Sequence, residues 1–296
     1  GTVWAYALGF TNAASGLNSN GAAITLSQSG DTITGTAGGN TIFTVTVNSA
    51  TGQLTLVQNE AIDHTTNQSN LADFSADTQS LVANLITLTG TATITDGDGD
   101  TAVDSETINI GDKLVFKDDG PTVTAPTNAS VDEADLAAGS SPNAAALTQT
   151  GSLDIALSGD GVDTQFVSTS EADFVALGLT SGGVALSYVL SGDGYTLTAS
   201  AGANTIFTAS ITNPGAVTAG YSFVLAGVLD HAKATNDASL DLPFNFVVSD
   251  GDGDTATGSF DVTVNDDSST AVDQAAVSVE EGAGAIGFDG SVWSAG

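Results

Sequence analysis

An all-β protein of tandem β-sandwich modules, Ig-like or cadherin-like, is what this sequence predicts, on three observations. Only 13% of the residues are charged, and the remainder is dominated by Thr, Ser, Ala, Val, Gly and Leu, a blend of strand and turn formers. Apolar residues alternate with polar ones at a period of two. The chain also repeats itself, so each half must be able to take the same fold.

The alternation is clearest in TIFTVTV (41–47), LITLTGTATIT (85–95), YTLTASA (195–201) and SFDVTVN (259–265), which read as half-buried strands. Between strands, SGD or SGDG at 29–31, 158–161 and 191–194 offers glycine for positive φ and an Asp able to bond its own backbone, which is hairpin chemistry. Helical signal is limited to a turn or two in EADFVALGL (171–179) and around Asn70 to Ala83. Trp4 and Trp293, each in a VW context, read as core residues rather than sugar platforms.

The repeat sets the organisation. SGLNSNGAAI (15–24) matches LGLTSGGVAL (177–186), GNTIFT (39–44) matches ANTIFT (203–208), and Asp63-His64 matches Asp230-His231. TDGDGDT (95–101) then matches SDGDGDT (249–255), and DDGPTVTAPTNASVDE (118–133) matches DDSSTAVDQAAVSVEE (266–281). A repeat of about 150 residues is a usual size for one domain. The frame predicts a first sandwich over 1–122, its N-terminal part missing or supplied by another segment, a second over 123–270, and the start of a third over 271–296. GSVWSAG at the C-terminus and GTVWAYALG at the N-terminus read as consecutive strands of one module, which predicts head-to-tail joining of neighbouring modules or identical chains.

Charge narrows the function. With 35 acidic residues against 3 basic ones the chain has a formal charge of -32, so it repels nucleic acid and anionic lipid and attracts cations. Of the acids 29 are Asp and 6 are Glu, which places the charge in turns rather than on helix surfaces. Cys is absent, which excludes disulfides, thiol catalysis and thiolate metal sites. No run of about 18 apolar residues is present, so membrane insertion by a helix is not expected.

In the two acidic heptads Asp96, Asp98 and Asp100, and again Asp250, Asp252 and Asp254, alternate with glycines, so three carboxylates can curl around one centre. The EF-hand pattern is not met: its sixth position is Thr101 or Thr255 instead of Gly, and its twelfth is Thr107 or Asp261 instead of Glu. Nor are there the tandem copies that a nonapeptide β-roll needs. Each heptad reads as a Ca²⁺ turn between two strands, against the blander reading of a solvated Asp-Gly hairpin tip. A second constellation straddles each module boundary: Asp118 and Asp119 with Asp132 and Glu133, repeated as Asp266 and Asp267 with Glu280 and Glu281. A cation there would neutralise and stiffen the junction, whereas exposed linker charges alone would extend it by repulsion.

The stretch from TDGDGDTAVDSETINI to DDGPTVTAPTNASVDE, and still more SDGDGDTATGSFDVTVNDD, resembles the repeat modules of large bacterial RTX-type adhesins exported by type I secretion. The resemblance implies an extracellular, cell-surface, calcium-stiffened extender that serves surface or biofilm attachment. It implies calcium ligation by Asp96, Asp98, Asp100, Asp250, Asp252 and Asp254, with the DD and acidic pairs supporting the linkers. The first copy departs by about six extra residues near GDKLVF (111–116).

An enzyme is not expected: no G-x-S-x-G elbow occurs, and the only basic residues are Lys113, Lys117 and Lys233. His64 and His231, one per module, read as structural hydrogen-bonding groups. Thr87, Thr89, Thr91, Thr93 and Thr95 form one row, too narrow for an ice- or glycan-facing array. The competing functional reading is a module that binds a glycan or peptide at loops on the same scaffold.

Overall fold

The computed structural model describes residues 1–71, 73–156, 159, 161–231 and 238–267. Among them the fold is nearly all β, with one short helix, Ser170–Ala176. The region Asn70–Ala83, where a helical turn was expected, instead holds the short strand Thr78–Ser80, with no helix among its described residues. The expectations for residues 271–296, for Trp293 and for Glu280 and Glu281 lie outside the described residues.

The first half is built on a five-stranded antiparallel meander in chain order: Ala14–Ser19, Ala22–Ser29, Thr32–Ala37, Asn40–Val47 and Leu54–Gln58. Its strands alternate buried and exposed residues, and the inward set Ile24, Leu26, Ile33, Phe43, Val45 and Val47 forms a core. Against it lies a three-stranded sheet in which Ile86–Thr95 is central, flanked by Thr2–Phe10 and Thr101–Asn109. The second half repeats the plan. Ser187–Leu190, Thr196–Ala201, Asn204–Thr212, Gly220–Leu225 and Thr148–Ser152 make a five-stranded sheet. Asp163–Phe166, Ser239–Ser249, Thr255–Asn265 and Ala129–Asp132 make a four-stranded one, with Ala129–Asp132 running parallel to its neighbour. Each half closes on its own hydrophobic cluster.

The two cores differ. The second stacks Phe244 among Phe166, Phe174, Phe207, Phe223 and Phe260, at ring separations between 4.9 and 6.2 Å. The first is mainly aliphatic, with Phe43 against Phe116 at 5.1 Å. The second half also includes an arm, residues 122–156. This arm adds Ala129–Asp132 to one sheet and Thr148–Ser152 to the other, and it contributes Val131, Leu136, Leu153 and Ile155 to the core. Trp4, expected in the core, is 53% exposed and stacks on Tyr6, whereas its counterpart Phe166 is 2% exposed.

Candidate metal centre

Both acidic heptads form hairpin tips with the same internal wiring. In the first, Asp96 Oδ1 accepts from the backbone N–H groups of Gly99 (3.1 Å) and Asp100 (3.0 Å). In the second, Asp250 Oδ1 accepts from Gly253 (3.1 Å) and Asp254 (2.7 Å). Asp96 N–H donates to the Asp100 carbonyl, and Asp250 N–H to the Asp254 carbonyl, each at 3.1 Å. Gly99 and Gly253 have φ of +99° and +106°, a region that strains any residue with a Cβ. In each tip one oxygen from each of the three carboxylates lies within 4.8 Å of the others.

Their surroundings are different. The first tip is exposed, and its hydrogen bonds with Asp98 and with backbone N–H groups hold the Asp96 carboxyl below its usual range. The second tip is pressed into the first half of the chain. Asp252 Oδ2 accepts from His64 N–H at 2.9 Å, and Asp254 Oδ1 accepts from Gln68 N–H. Gly253 packs against the Asn67 side chain, which a Cβ would displace, and its φ favours glycine. The segment 68–70 then adds alongside Thr255: Thr255 N–H donates to the Gln68 carbonyl at 2.9 Å and Asn70 N–H to the Thr255 carbonyl at 2.8 Å. Asn70 Oδ1 also accepts from Thr257 N–H (2.7 Å) and Thr257 Oγ1 (2.9 Å).

Behind this contact is a buried nest of acids. Asp118 Oδ1 is 3.0 Å from His64 Nδ1, and both side chains are almost wholly buried. Asp77 Oδ2, Asp118 Oδ2, Asp252 Oδ1 and Asp254 Oδ2 are buried without a hydrogen-bond donor directed at them. Burial, followed by the negative charges of Asp252, Asp254 and Asp77, pushes the Asp118 carboxyl up to about 7. Burial likewise raises Asp254, although the Gln68 N–H opposes the shift. With four carboxylates and one imidazole, the nest needs protons or a cation to be stable. Oxygen-rich donors with free lone pairs fit a hard divalent cation such as Ca²⁺, and His64 is placed to orient Asp118.

The remaining predicted ligands divide differently from the sequence reading. Asp118 and Glu133 do not share one junction cluster; they belong to two. Glu133 is buried, accepts from Leu229 N–H at 2.6 Å, and places Oε1 3.3 Å from His231 Nε2, with an Asp266 oxygen inside the same 4.8 Å group. Burial raises the Glu133 carboxyl, and the Leu229 N–H and His231 partly offset the shift. Asp119, Asp132 and Asp267 face backbone amides: Asp119 Oδ2 accepts from Gly159 N–H, Asp132 Oδ1 caps Ala134 N–H, and Asp267 accepts from Ser140 N–H, each at 2.9 Å. For Asp132 the reason is local, since a short Asp carboxylate at a helix start bonds the backbone two residues on.

Sequence reasoning missed Asp77, the segment 67–70 and the part played by the histidines. The duplicated Asp-His pair carried the signal. Asp63 Oδ2 accepts from Gly21 N–H at 2.9 Å, and Asp230 accepts from Gly182 (2.8 Å) and Gly183 (2.7 Å), so each Asp pins a Gly turn while the next residue faces the acidic cluster. Beside the first cluster lies a cavity of about 360 Å³ lined by Gln58, Glu60, His64, Lys117, Asp118 and Gly159, among others.

Residues 1–111 match a family described as a domain of unknown function (DUF5801). The matched stretch holds His64, Asp77 and the exposed heptad, and it stops before Asp118 and the second tip. No curated protein matches the chain.

Proposed function

We propose that this chain is a structural, calcium-stiffened extender of an extracellular bacterial adhesin or surface filament, serving attachment to a surface or within a biofilm. One observation carries the reading: Asp77 and Asp118 from the first half and Asp252 and Asp254 from the second converge, buried, where the halves meet. Without a cation, like charges at this joint repel and favour opening; with one bound, the binding free energy becomes rigidity of the joint. The architecture suits an extender, because strength along a string of sandwiches depends on its joints. The resemblance of the repeat to RTX-type adhesin modules supports the extracellular setting. Melting curves in EDTA and in millimolar calcium test the reading, together with calorimetric titration of the wild type and of Asp252→Ala. Coincident curves and no heat of binding would sink it.

The cavity favours a second reading, a binding module for a glycan or peptide. Lys117 brings a cation to a wall that also holds the amides Gln58 and Asn59, the acids Glu60, Asp118 and Asp119, and the apolar Ala61 and Ile62. A glycan or peptide array separates the two readings, since an extender gives no specific hits.

A further inference from the structure

Glu133 and His231 belong to an acid-imidazole cluster inside the second half that the joint does not use. Both side chains are only 3% exposed, and His231 Nε2 is 3.3 Å from Glu133 Oε1. The contact is not aligned as a hydrogen bond, and neither ring nitrogen of His231 has a hydrogen-bond partner among the described residues. An Asp266 oxygen completes a group of three donor atoms, each within 4.8 Å of the others. A buried imidazole with both nitrogens unmet is costly, and buried carboxylates beside it call for positive charge.

The three donors come from separate segments, and each is held from behind. Asp132 caps the short 3-10 helix Glu133–Asp135, and Leu229 N–H takes one of the roughly four lone pairs of the Glu133 carboxylate. Asp230 fixes the backbone next to His231: its N–H donates to the Thr180 carbonyl (2.8 Å), and its carboxylate accepts from Thr180 Oγ1 (2.6 Å), Gly182 and Gly183. Asp266 N–H donates to the Ala238 carbonyl at 2.9 Å, and the adjacent Asp267 is anchored on Ser140. Donors fixed in this way need little reorganisation to take an ion.

The donor set separates this cluster from the one at the joint. There, four carboxylates lie with His64, whose Nε2 already has the Phe116 carbonyl at 3.5 Å, an oxygen-rich set suited to Ca²⁺. Here one imidazole meets two carboxylates, a mixed nitrogen and oxygen set of the kind that suits a first-row divalent ion. Two donors about 2.0–2.2 Å from one tetrahedral zinc lie about 3.3–3.5 Å apart. The Nε2–Oε1 distance agrees with that spacing. We infer that Glu133, His231 and Asp266 form a second metal site, selective for Zn²⁺ or a similar transition ion over Ca²⁺. Water fills the remaining coordination positions. The ion ties the arm at Glu133, the loop at His231 and the end of the strand Thr255–Asn265 to one point, so it stabilises the second half whatever the joint holds.

The test strips the full chain of metal and titrates it with Zn²⁺ in excess calcium. The expected result is one zinc per chain that calcium does not displace. Glu133→Gln keeps an acceptor for Leu229 N–H and should weaken zinc binding at least about tenfold, and His231→Gln should weaken it more than about a hundredfold, beyond the usual loss from an outer partner. Circular dichroism checks that both variants fold. Anomalous diffraction at the zinc edge needs no variant and should place the ion between the His231 imidazole and the two carboxylates. Four results would overturn the inference: no zinc retained in excess calcium, binding undiminished in both folded variants, an ion located elsewhere, or zinc lost in His64→Gln but kept in His231→Gln. The site stands apart from the proposed function. Zinc binding without any calcium response would sink that function and leave this site in place, and the reverse outcome would do the opposite.

Discussion

The two acidic tips are nearly the same loop, and they do opposite things. Asp96–Asp100 and Asp250–Asp254 share their hydrogen bonds, their positive-φ glycine and their hairpin, yet one stands in solvent and the other is clamped by His64, Asn67, Gln68 and Asn70. A loop of this kind is fixed by local sequence; whether it is a site is fixed by what surrounds it. Three carboxylates in water cost little and hold a cation loosely, whereas the same three beside Asp118 and Asp77 and away from water cannot all stay charged without one.

The hardest way to break the comparison is to remove the scaffold under the clamped tip. Phe244 is buried among five other phenylalanines, so Phe244→Ala should cost about 3–5 kcal/mol and loosen the joint with the second core. Denaturant unfolding followed at Trp4, which lies on the first half, checks whether that half outlasts the second. Next in size is calcium itself: at a hundred times its dissociation constant a bound ion should add about 2.7 kcal/mol, read as a rise in melting temperature that EDTA reverses.

The sharper contrast substitutes one acid in each tip. Asp254→Asn should weaken calcium binding at least about tenfold, as loss of groups around a bound metal does. In EDTA the same change should leave stability equal or higher, because it removes one of the repelling carboxylates around Asp118. Asp100→Asn should alter neither quantity in the monomer. Equal effects from the two substitutions would show that the surroundings do not distinguish the tips.

Protonation gives an effect whose direction follows from Asp118. Its carboxyl is raised from 3.8 to about 7, so the folded state holds the proton more tightly than the unfolded state. In EDTA its contribution is complete below pH 3.8 and is lost as pH rises through about 7. The chelated chain should therefore lose stability between about pH 4 and 7, while saturating calcium should flatten or reverse the trend. Stability in EDTA that climbs over this range would contradict a protonated Asp118.

The fold was legible because its signal is repeated and local. Strands such as Thr255–Asn265, and Asn40–Val47 from Phe43 onward, carry period-two alternation, and the acidic tips fell where alternation stops. The site was half legible. Asp252, Asp254 and Asp118 could be named from type and spacing, but Asp118 sits with a tip 134 residues away (from Asp118 to Asp252) rather than with Asp132 and Glu133 nearby in sequence. Distance along the chain says nothing about which half-sandwich presses on which. Asp77 was invisible for the same reason, since it lies in a loop outside the matched motifs of the repeat. Trp4 misled because VW signals a strand, and whether a strand's face is covered depends on what packs on it, which the dipeptide does not encode.

The smallest effect tests the clamp without touching the acids. Asn70 holds φ at +55° and uses one side-chain oxygen to accept from both Thr257 N–H and Thr257 Oγ1, tying the first half to the edge of the second. Asn tolerates this left-handed backbone better than other residues with a Cβ, because its amide bonds locally. Asn70→Ala should cost about 1 kcal/mol, the usual net worth of such bonds. The loss should fall on the joint alone: calcium affinity declines slightly, each core keeps its unfolding midpoint, and amide exchange at Thr255 and Thr257 speeds up. Unchanged exchange at these two residues would mean that acids and calcium hold the second tip in place without help from the backbone clamp.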